Sequence, residues 1–198
     1  MIDSNNEIYR NKWSVLALAD SAAYLFKIVF LGEGAVGKTS LVGRFVYNSF
    51  EGDYLATIGT DIHLKMVQVE DTLVKLVIWD IAGQDNFAQL RRAYYQNASG
   101  AFFVFDTSRP ETIARIDEWL RALHAVAGDI PLVMLENKVD LKSAISKEQK
   151  EQIIKKYGLK IIPTSAKEDT NVEDAFQEMT RNILVKARRK GMKTLKLN

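Results

Sequence analysis

Gly32-Glu33-Gly34-Ala35-Val36-Gly37-Lys38-Thr39 matches the phosphate-binding pattern G-x-x-x-x-G-K-[ST] at every position. Each part of the pattern has a physical role. The glycines let the backbone curl until successive N–H groups point inward as an anion-binding nest. Lys38 has the reach to meet β- and γ-phosphates, and the Thr39 hydroxyl suits a Mg²⁺ ligand. A helix starting here adds its positive N-terminal end. The flanks fit. Tyr24–Leu31 is an apolar run of strand length rich in β-branched and aromatic residues, and Leu41, Val42, Phe45 and Val46 recur at helical spacing.

Working outward, further strands are predicted at Asp61–Val69 and Thr72–Asp80, joined by Glu70-Asp71 as a hairpin. Ala101–Phe105 and Pro131–Leu135 read as buried parallel strands, and Leu159–Ile162 as a short one. Helices are expected around Phe87–Asn97, from Pro110 through Leu123, from Ser146 to Tyr157 and from Asn171 to Arg189. Ser146 and Gln149 resemble a capping box. Pro110 suits a first helical turn, and Gly191 a stop. Strands alternating with helices predict an α/β fold: a six-stranded, mostly parallel sheet with one antiparallel strand and helices on both faces. Ligands in such sheets bind at the carboxyl ends of the strands.

Two more motifs stand at strand ends. Asp80-Ile81-Ala82-Gly83-Gln84 follows Val77-Ile78-Trp79. An Asp there can hold a metal-bound water or the metal itself, and Gly83 leaves its N–H open to a terminal phosphate. Asn137-Lys138-Val139-Asp140 follows Leu132–Leu135. A carboxylate accepts from two neighbouring donors, which guanine presents at N1–H and its 2-amino group. Adenine offers a bare acceptor there and leaves the acid unpaired. Ser165-Ala166-Lys167, after the last strand, can back the same base.

Bulk composition narrows the classes. The 198 residues, 47% hydrophobic and 26% charged, suit one soluble α/β domain. A net charge of +2 excludes a nucleic-acid-binding polycation. Lys186, Arg188, Arg189, Lys190, Lys193 and Lys196 crowd the last thirteen residues; without them the remainder carries −4. With no cysteine, disulfides, thiolate zinc sites, prenylation and palmitoylation are excluded. Ile2 excludes N-myristoylation. No run reaches the roughly 20 apolar residues of a transmembrane helix. The acids Asp3 and Glu7 argue against a signal peptide. The expected division is an N-terminal extension at 1–23, one domain at 24–189 and a basic tail at 190–198. The reading is of a cytoplasmic monomer whose cations at 186–196 serve in one of two ways: as a solvated helix end that complements the helix dipole, or as a weak contact to anionic lipid that makes the protein peripheral on a membrane without a lipid anchor.

Taken together, Gly32–Thr39, Thr57, Asp80–Gln84, Asn137–Asp140 and Ser165–Lys167 resemble the five sequence blocks of the Ras superfamily of small GTPases, in family order, over residues 25–189. Tyr54-Leu55-Ala56-Thr57-Ile58-Gly59 and Leu90-Arg91-Arg92-Ala93-Tyr94-Tyr95 are similar to the two switch regions of the Rab branch. Ile62 and Ile81 stand where that branch usually has Phe and Thr.

The resemblance implies a Ras-like G domain that binds GTP and GDP with Mg²⁺. It implies nucleotide contacts from Gly32, Glu33, Gly34, Ala35, Val36, Gly37, Lys38, Thr39, Ser40, Phe50, Tyr54, Thr57, Gly83, Asn137, Lys138, Asp140, Ser165, Ala166 and Lys167. Phe50 would pack on the guanine, and the Ala166 N–H would meet its O6. Thr39, Thr57 and, through water, Asp80 would hold the metal. Gln84 would orient the attacking water, with Lys38 and Thr57 as further catalytic groups. Effectors, exchange factors and activating proteins would dock on 50–60 and 79–95, with Trp79 and Tyr94 as an aromatic patch. Slow hydrolysis is expected, since no arginine in these motifs reads as a built-in finger. The alternatives are a nucleotide-dependent scaffold with little hydrolysis, a metabolic kinase and an ATPase. The intact Thr39, Thr57, Gly83 and Gln84, the lack of a lid insert, and Asp140 oppose these in turn.

Overall fold

The structure, a computed structural model, describes residues 22–50, 60–81 and 88–191. Its sheet has six strands: β1 (Tyr24–Leu31), β2 (Thr60–Val69), β3 (Thr72–Ile81), β4 (Gly100–Asp106), β5 (Leu132–Asn137) and β6 (Ile161–Pro163). Their spatial order is β2-β3-β1-β4-β5-β6. Only the β2–β3 hairpin is antiparallel, in the register Thr60↔Ile81 to Val69↔Thr72. Glu70 turns that hairpin at φ 51°. The other pairings are parallel, so β1, β3, β4 and β5 send their carboxyl ends to one edge.

Six helices complete the described fold: α1 (Lys38–Tyr47), α2 (Ala88–Tyr95), α3 (Glu111–Ala114), α4 (Ile116–Ala127), α5 (Lys147–Tyr157) and α6 (Val172–Arg189). They divide between the two faces of the sheet. On one face α1 and α6 close over Phe30, Phe102 and Leu76. Phe176 of α6 stacks on Phe45 of α1, centroids 3.6 Å apart and 4° from parallel, and meets Phe102 edge-on at 5.1 Å. On the other, Tyr94, Tyr95, Ile116, Trp119 and Leu123 pack on Val29, Phe103 and Phe105. All seven residues of β4 are buried, which is why its sequence is apolar without alternation. Gly100 lets α6 pack close: a Cβ would lie 2.7 Å from the side-chain ends of Ile183 and Met179, which would have to shift.

Several local expectations need correction. The helix predicted from Pro110 is broken at Arg115 (φ −91°, ψ 13°) into α3 and α4. Pro110 precedes the first of these rather than opening a single long helix. β6 begins at Ile161, not Leu159. The Ser146–Gln149 capping box is present in full. Asn171 does precede α6, but it caps nothing with its side chain; it is left-handed (φ 53°) and donates instead to the Pro163 carbonyl at 2.8 Å. The charge of the tail is also partly committed. Lys186 pairs with Asp129 at 2.6 Å, and Arg188 donates to Thr72 at 2.8 Å. The extension 1–21, the segments 51–59 and 82–87, and the tail from 192 lie outside the described residues.

Phe176 is fully buried and touches three other aromatic rings. Phe176→Ala should cost about 3–5 kcal/mol, read as a fall in the midpoint of urea unfolding.

Candidate functional site

β1 ends in the glycine loop, and α1 begins at Lys38 directly behind it. Gly32 (φ 127°) and Gly37 (φ 95°) adopt backbone angles closed to other residues. At Gly32 a Cβ would strike the Val104 carbonyl, and at Gly37 the Asn137 amide. The pattern's glycines are thus fixed by close neighbours on β4 and β5 as well as by curvature.

Five consecutive carbonyls of this loop each accept a hydrogen bond from a side chain. Lys38 Nζ donates to Gly32 at 2.9 Å and to Glu33 at 2.7 Å. Arg109 donates to Gly34 at 3.0 Å, Lys138 to Ala35 at 2.7 Å, and Asn137 to Val36 at 2.9 Å. The carbonyls are held by donors, which frees the loop's N–H groups to face an anion together. Ala35 sits at φ 61°, a left-handed angle that costs a residue with a Cβ about 1–2 kcal/mol. Such an angle persists only where surrounding contacts enforce it. Glu33 is held from the side by Trp119 Nε1 and Arg115, both at 3.4 Å.

Lys38 is buried, and burial lowers its pKa from 10.5 to about 8, against the opposing pull of Asp80 and Glu33. Keeping it charged at neutral pH therefore costs on the order of 3 kcal/mol. A phosphate beside it would relieve that cost. Asp80, at the end of β3, is completely buried beside Thr39, and among the described residues neither carboxylate oxygen has a hydrogen-bond partner of good geometry. Burial raises its pKa; Thr39, Lys38 and His63 counteract in part. A buried acid without a well-formed hydrogen bond among the described residues suits a hydrated cation, so these residues fit Mg²⁺ beside Thr39.

At the end of β5, Asn137 is buried. Its Nδ2 holds Val36, while its Oδ1 accepts from the Ala166 N–H at 3.3 Å and from Thr164 at 3.4 Å. The side chain thus ties the phosphate loop to the loop after β6. The Ala166 N–H expected to meet a base is already engaged by Asn137. Lys138 is left-handed (φ 65°) and pairs with Asp106 at 2.7 Å. Asp140 is exposed and accepts from Ser165 at 2.6 Å, which fixes a carboxylate facing solvent. Arg44 of α1 grips the Ala166 and Lys167 carbonyls at 2.9 and 3.2 Å. Ser40 is half-buried on α1, and Phe50 and the Lys167 side chain are exposed. Tyr54, Thr57, Gly83 and Gln84 lie outside the described residues.

The expected aromatic patch is corrected. Tyr94 is only 6% exposed, set in the core against Trp79 with ring centroids 5.8 Å apart. Trp79 is half-covered by Lys27, whose Nζ lies 3.7 Å from its ring centroid. The large exposed apolar side chains here are Ile62 and Leu64 of β2.

Sequence reasoning missed Asp106, Arg109 and Glu136. Asp106 ends β4 as Asp80 nearly ends β3, and that position was its one sequence signal. Glu136 is buried beside the base loop, accepting from Thr107 at 2.6 Å and paired with Lys150 at 2.5 Å.

A Gly-rich phosphate nest, a buried Asp and an exposed carboxylate, all at the carboxyl edge of a parallel sheet, define a nucleotide-binding α/β domain. A profile of the Ras family matches residues 27–185. Ras-related protein Rab-8B of Pongo abelii is 38% identical over 176 residues, covering 87% of this chain and 85% of that protein. Ras-related protein Rab-13 of Canis lupus familiaris is 37% identical over 180 residues, covering 88% of each. Human Ras-related protein Rab-8B is 37% identical over 176 residues, covering 87% and 85%. The chain belongs to the Ras family. It is a Rab-like small GTPase, a switch that binds and hydrolyses GTP.

Asp106 tests the site's electrostatic frame. Burial would raise its carboxyl, but hydrogen bonds from Lys138 and Ser108 outweigh burial and hold it below the usual 3.8. A depressed folded pKa contributes stability that is full above 3.8 and is lost as pH falls through the lower folded value. Asp106→Asn should therefore destabilise the protein at pH 7 by about 2 kcal/mol. The gap to wild type should narrow below pH 3.8, as followed by urea unfolding from pH 7 to pH 3.

Proposed function

We propose that this GTPase hydrolyses GTP slowly by itself and works as a partner-gated switch at membrane surfaces in the cytoplasm. The observation that carries the reading is the outward pinning of carbonyls 32–36, with the buried Lys38 beside them. That arrangement supports a site preorganised for phosphates before any ligand arrives.

In this reading the Gly32–Ser40 backbone binds the phosphates and Lys38 offsets negative charge on them. Thr39, Thr57 and, through water, Asp80 hold Mg²⁺. When bound, the ion neutralises charge on β- and γ-phosphate oxygens. Gln84 orients the attacking water, and Gly83 and Thr57 meet the γ-phosphate by their N–H groups. Asp140, fixed by Ser165, accepts from the guanine edge. Asn137 and Ala166 line the other side of the base, with Lys138 and Lys167 packing about it and Phe50 and Tyr54 flanking the nucleotide.

Contacts of Thr57 and Gly83 to the γ-phosphate exist only with GTP. Segments 50–60 and 83–95 thereby order with GTP and loosen with GDP, so effectors, exchange factors and activating proteins read the nucleotide through 50–60 and 79–95. Ile62 and Leu64 extend that surface. The relatives' Rab names support a role in membrane trafficking. The protein acts as a monomer, without nucleic acid.

Arg109, Arg115 and Arg44 all engage groups of the protein itself. This supports an arginine supplied by a partner, an effect worth roughly 10³–10⁵ in rate and measured on Ras, a relative in the same family. Single-turnover hydrolysis by the purified protein should be slow, and Gln84→Leu should slow it at least about tenfold further. Rapid turnover of the isolated protein would overturn the reading. Lys and Arg side chains of 186–196 contact anionic lipid weakly in this reading, at about 1 kcal/mol each near the surface. Flotation with anionic vesicles should show binding at low salt and its loss at high salt; absence at low salt removes the membrane contact.

A further inference from the structure

Residues of the recognised motifs hold four of the five pinned carbonyls. The fifth, Gly34, is held by Arg109, which belongs to none of them. Arg109 stands in the connection between β4 and α3, far from Gly34 in sequence, and donates to its carbonyl through Nη2 at 3.0 Å. Its Nε is fixed by Asp106 at 3.2 Å. Asp106 is buried to 2% of its side-chain surface and accepts from Lys138 at 2.7 Å, from Ser108 Oγ at 2.7 Å and from the Ser108 N–H at 2.9 Å. One buried carboxylate therefore orients two cations, and these two cations hold the carbonyls of Gly34 and Ala35 side by side. Ala35 carries the loop's strained left-handed angle.

We propose that Arg109 is a positioning residue for the nucleotide's phosphates. By fixing the Gly34 carbonyl, it sets the peptide that joins Gly34 to the strained Ala35 and so aims that peptide's N–H into the nest. Carbonyl and N–H of one peptide point in opposite directions because the unit is planar. A donor on the outer oxygen therefore decides where the inner N–H points. The guanidinium engages the outer side of the loop, so Arg109 acts through the backbone and does not supply charge to the reacting phosphate. Its side chain keeps 37% of its surface exposed, so substitution leaves the core intact. This inference rests on the reading of Gly32–Thr39 as the phosphate site.

The test is equilibrium binding of GDP and of GMP to the full chain, for wild type, Arg109→Ala and Arg109→Lys. Arg109→Ala should weaken GDP by about tenfold, the low end for a charge-assisted bond that is partly solvated. GMP, which lacks the β-phosphate, should weaken by less than about threefold on the same grounds. Arg109→Lys, which keeps a charged donor, should recover part of the loss. Equal losses for GDP and GMP would reduce Arg109 to a structural residue and overturn the proposal, as would unchanged GDP affinity in Arg109→Ala. A wild-type protein that fails to bind GDP would instead overturn the phosphate-site reading, and this inference with it.

Discussion

The donation of side-chain hydrogen bonds to five successive loop carbonyls, Gly32 to Val36, is the constraint around which the site is organised. A backbone with its N–H groups converging is unfavourable alone, because their dipoles repel and one residue must take a left-handed angle. The donors come from α1, from the β4–α3 connection and from the end of β5. The loop therefore keeps its shape only while β1, β4 and β5 stay in register. Each of these strands is parallel to its neighbours, which brings their carboxyl ends and the donors beyond them to one edge.

The sheet keeps that register because both its faces are covered. Phe30, Phe102 and Phe176 build one core, and Phe103, Phe105 and Trp119 the other. Trp119 belongs to both architecture and site: its ring packs in the core while its indole N–H meets Glu33 of the phosphate loop. Asn137 does similar double duty from the opposite side, occupying the space that Gly37 leaves free and bonding both flanking loops. Substitutions that loosen either core would reach the site through these two residues.

Polar burial at the sheet edge follows a division of labour. Asp106 and Glu136 are buried with their acceptors filled by cations and hydroxyls, so they brace the loops. Asp80 is buried without a well-formed hydrogen bond among the described residues, with Thr39 and Lys38 beside it. Burial raises the Asp80 pKa, with Thr39 and Lys38 counteracting in part, which is the electrostatic setting for the metal-side role proposed for it. Lys38 carries the complementary cost, a buried cation whose pKa falls to about 8.

Much of this was legible in the chain. Alternating apolar runs and helical spacings gave six strands, the β2–β3 hairpin and the capping box at Ser146, since each depends on neighbours in sequence. The motifs fixed the phosphate loop, Asp80, Asn137 and Asp140 for the same reason. What sequence missed depends on distance through space. The break at Arg115, the inward turn of Tyr94 and the pairing of Lys186 with Asp129 are choices made by packing and charge between remote segments. Arg109 is the clearest case. As a residue before Pro110 it reads as part of an ordinary turn. Only the parallel alignment of β4 beside β1 brings it to the Gly34 carbonyl. By itself, the sequence determined that this protein grips phosphates and favours guanine, because those functions reside in contiguous motifs. The tertiary structure alone decided which remote side chains hold the grip in shape, because a carbonyl can be pinned by any donor that the fold carries to it.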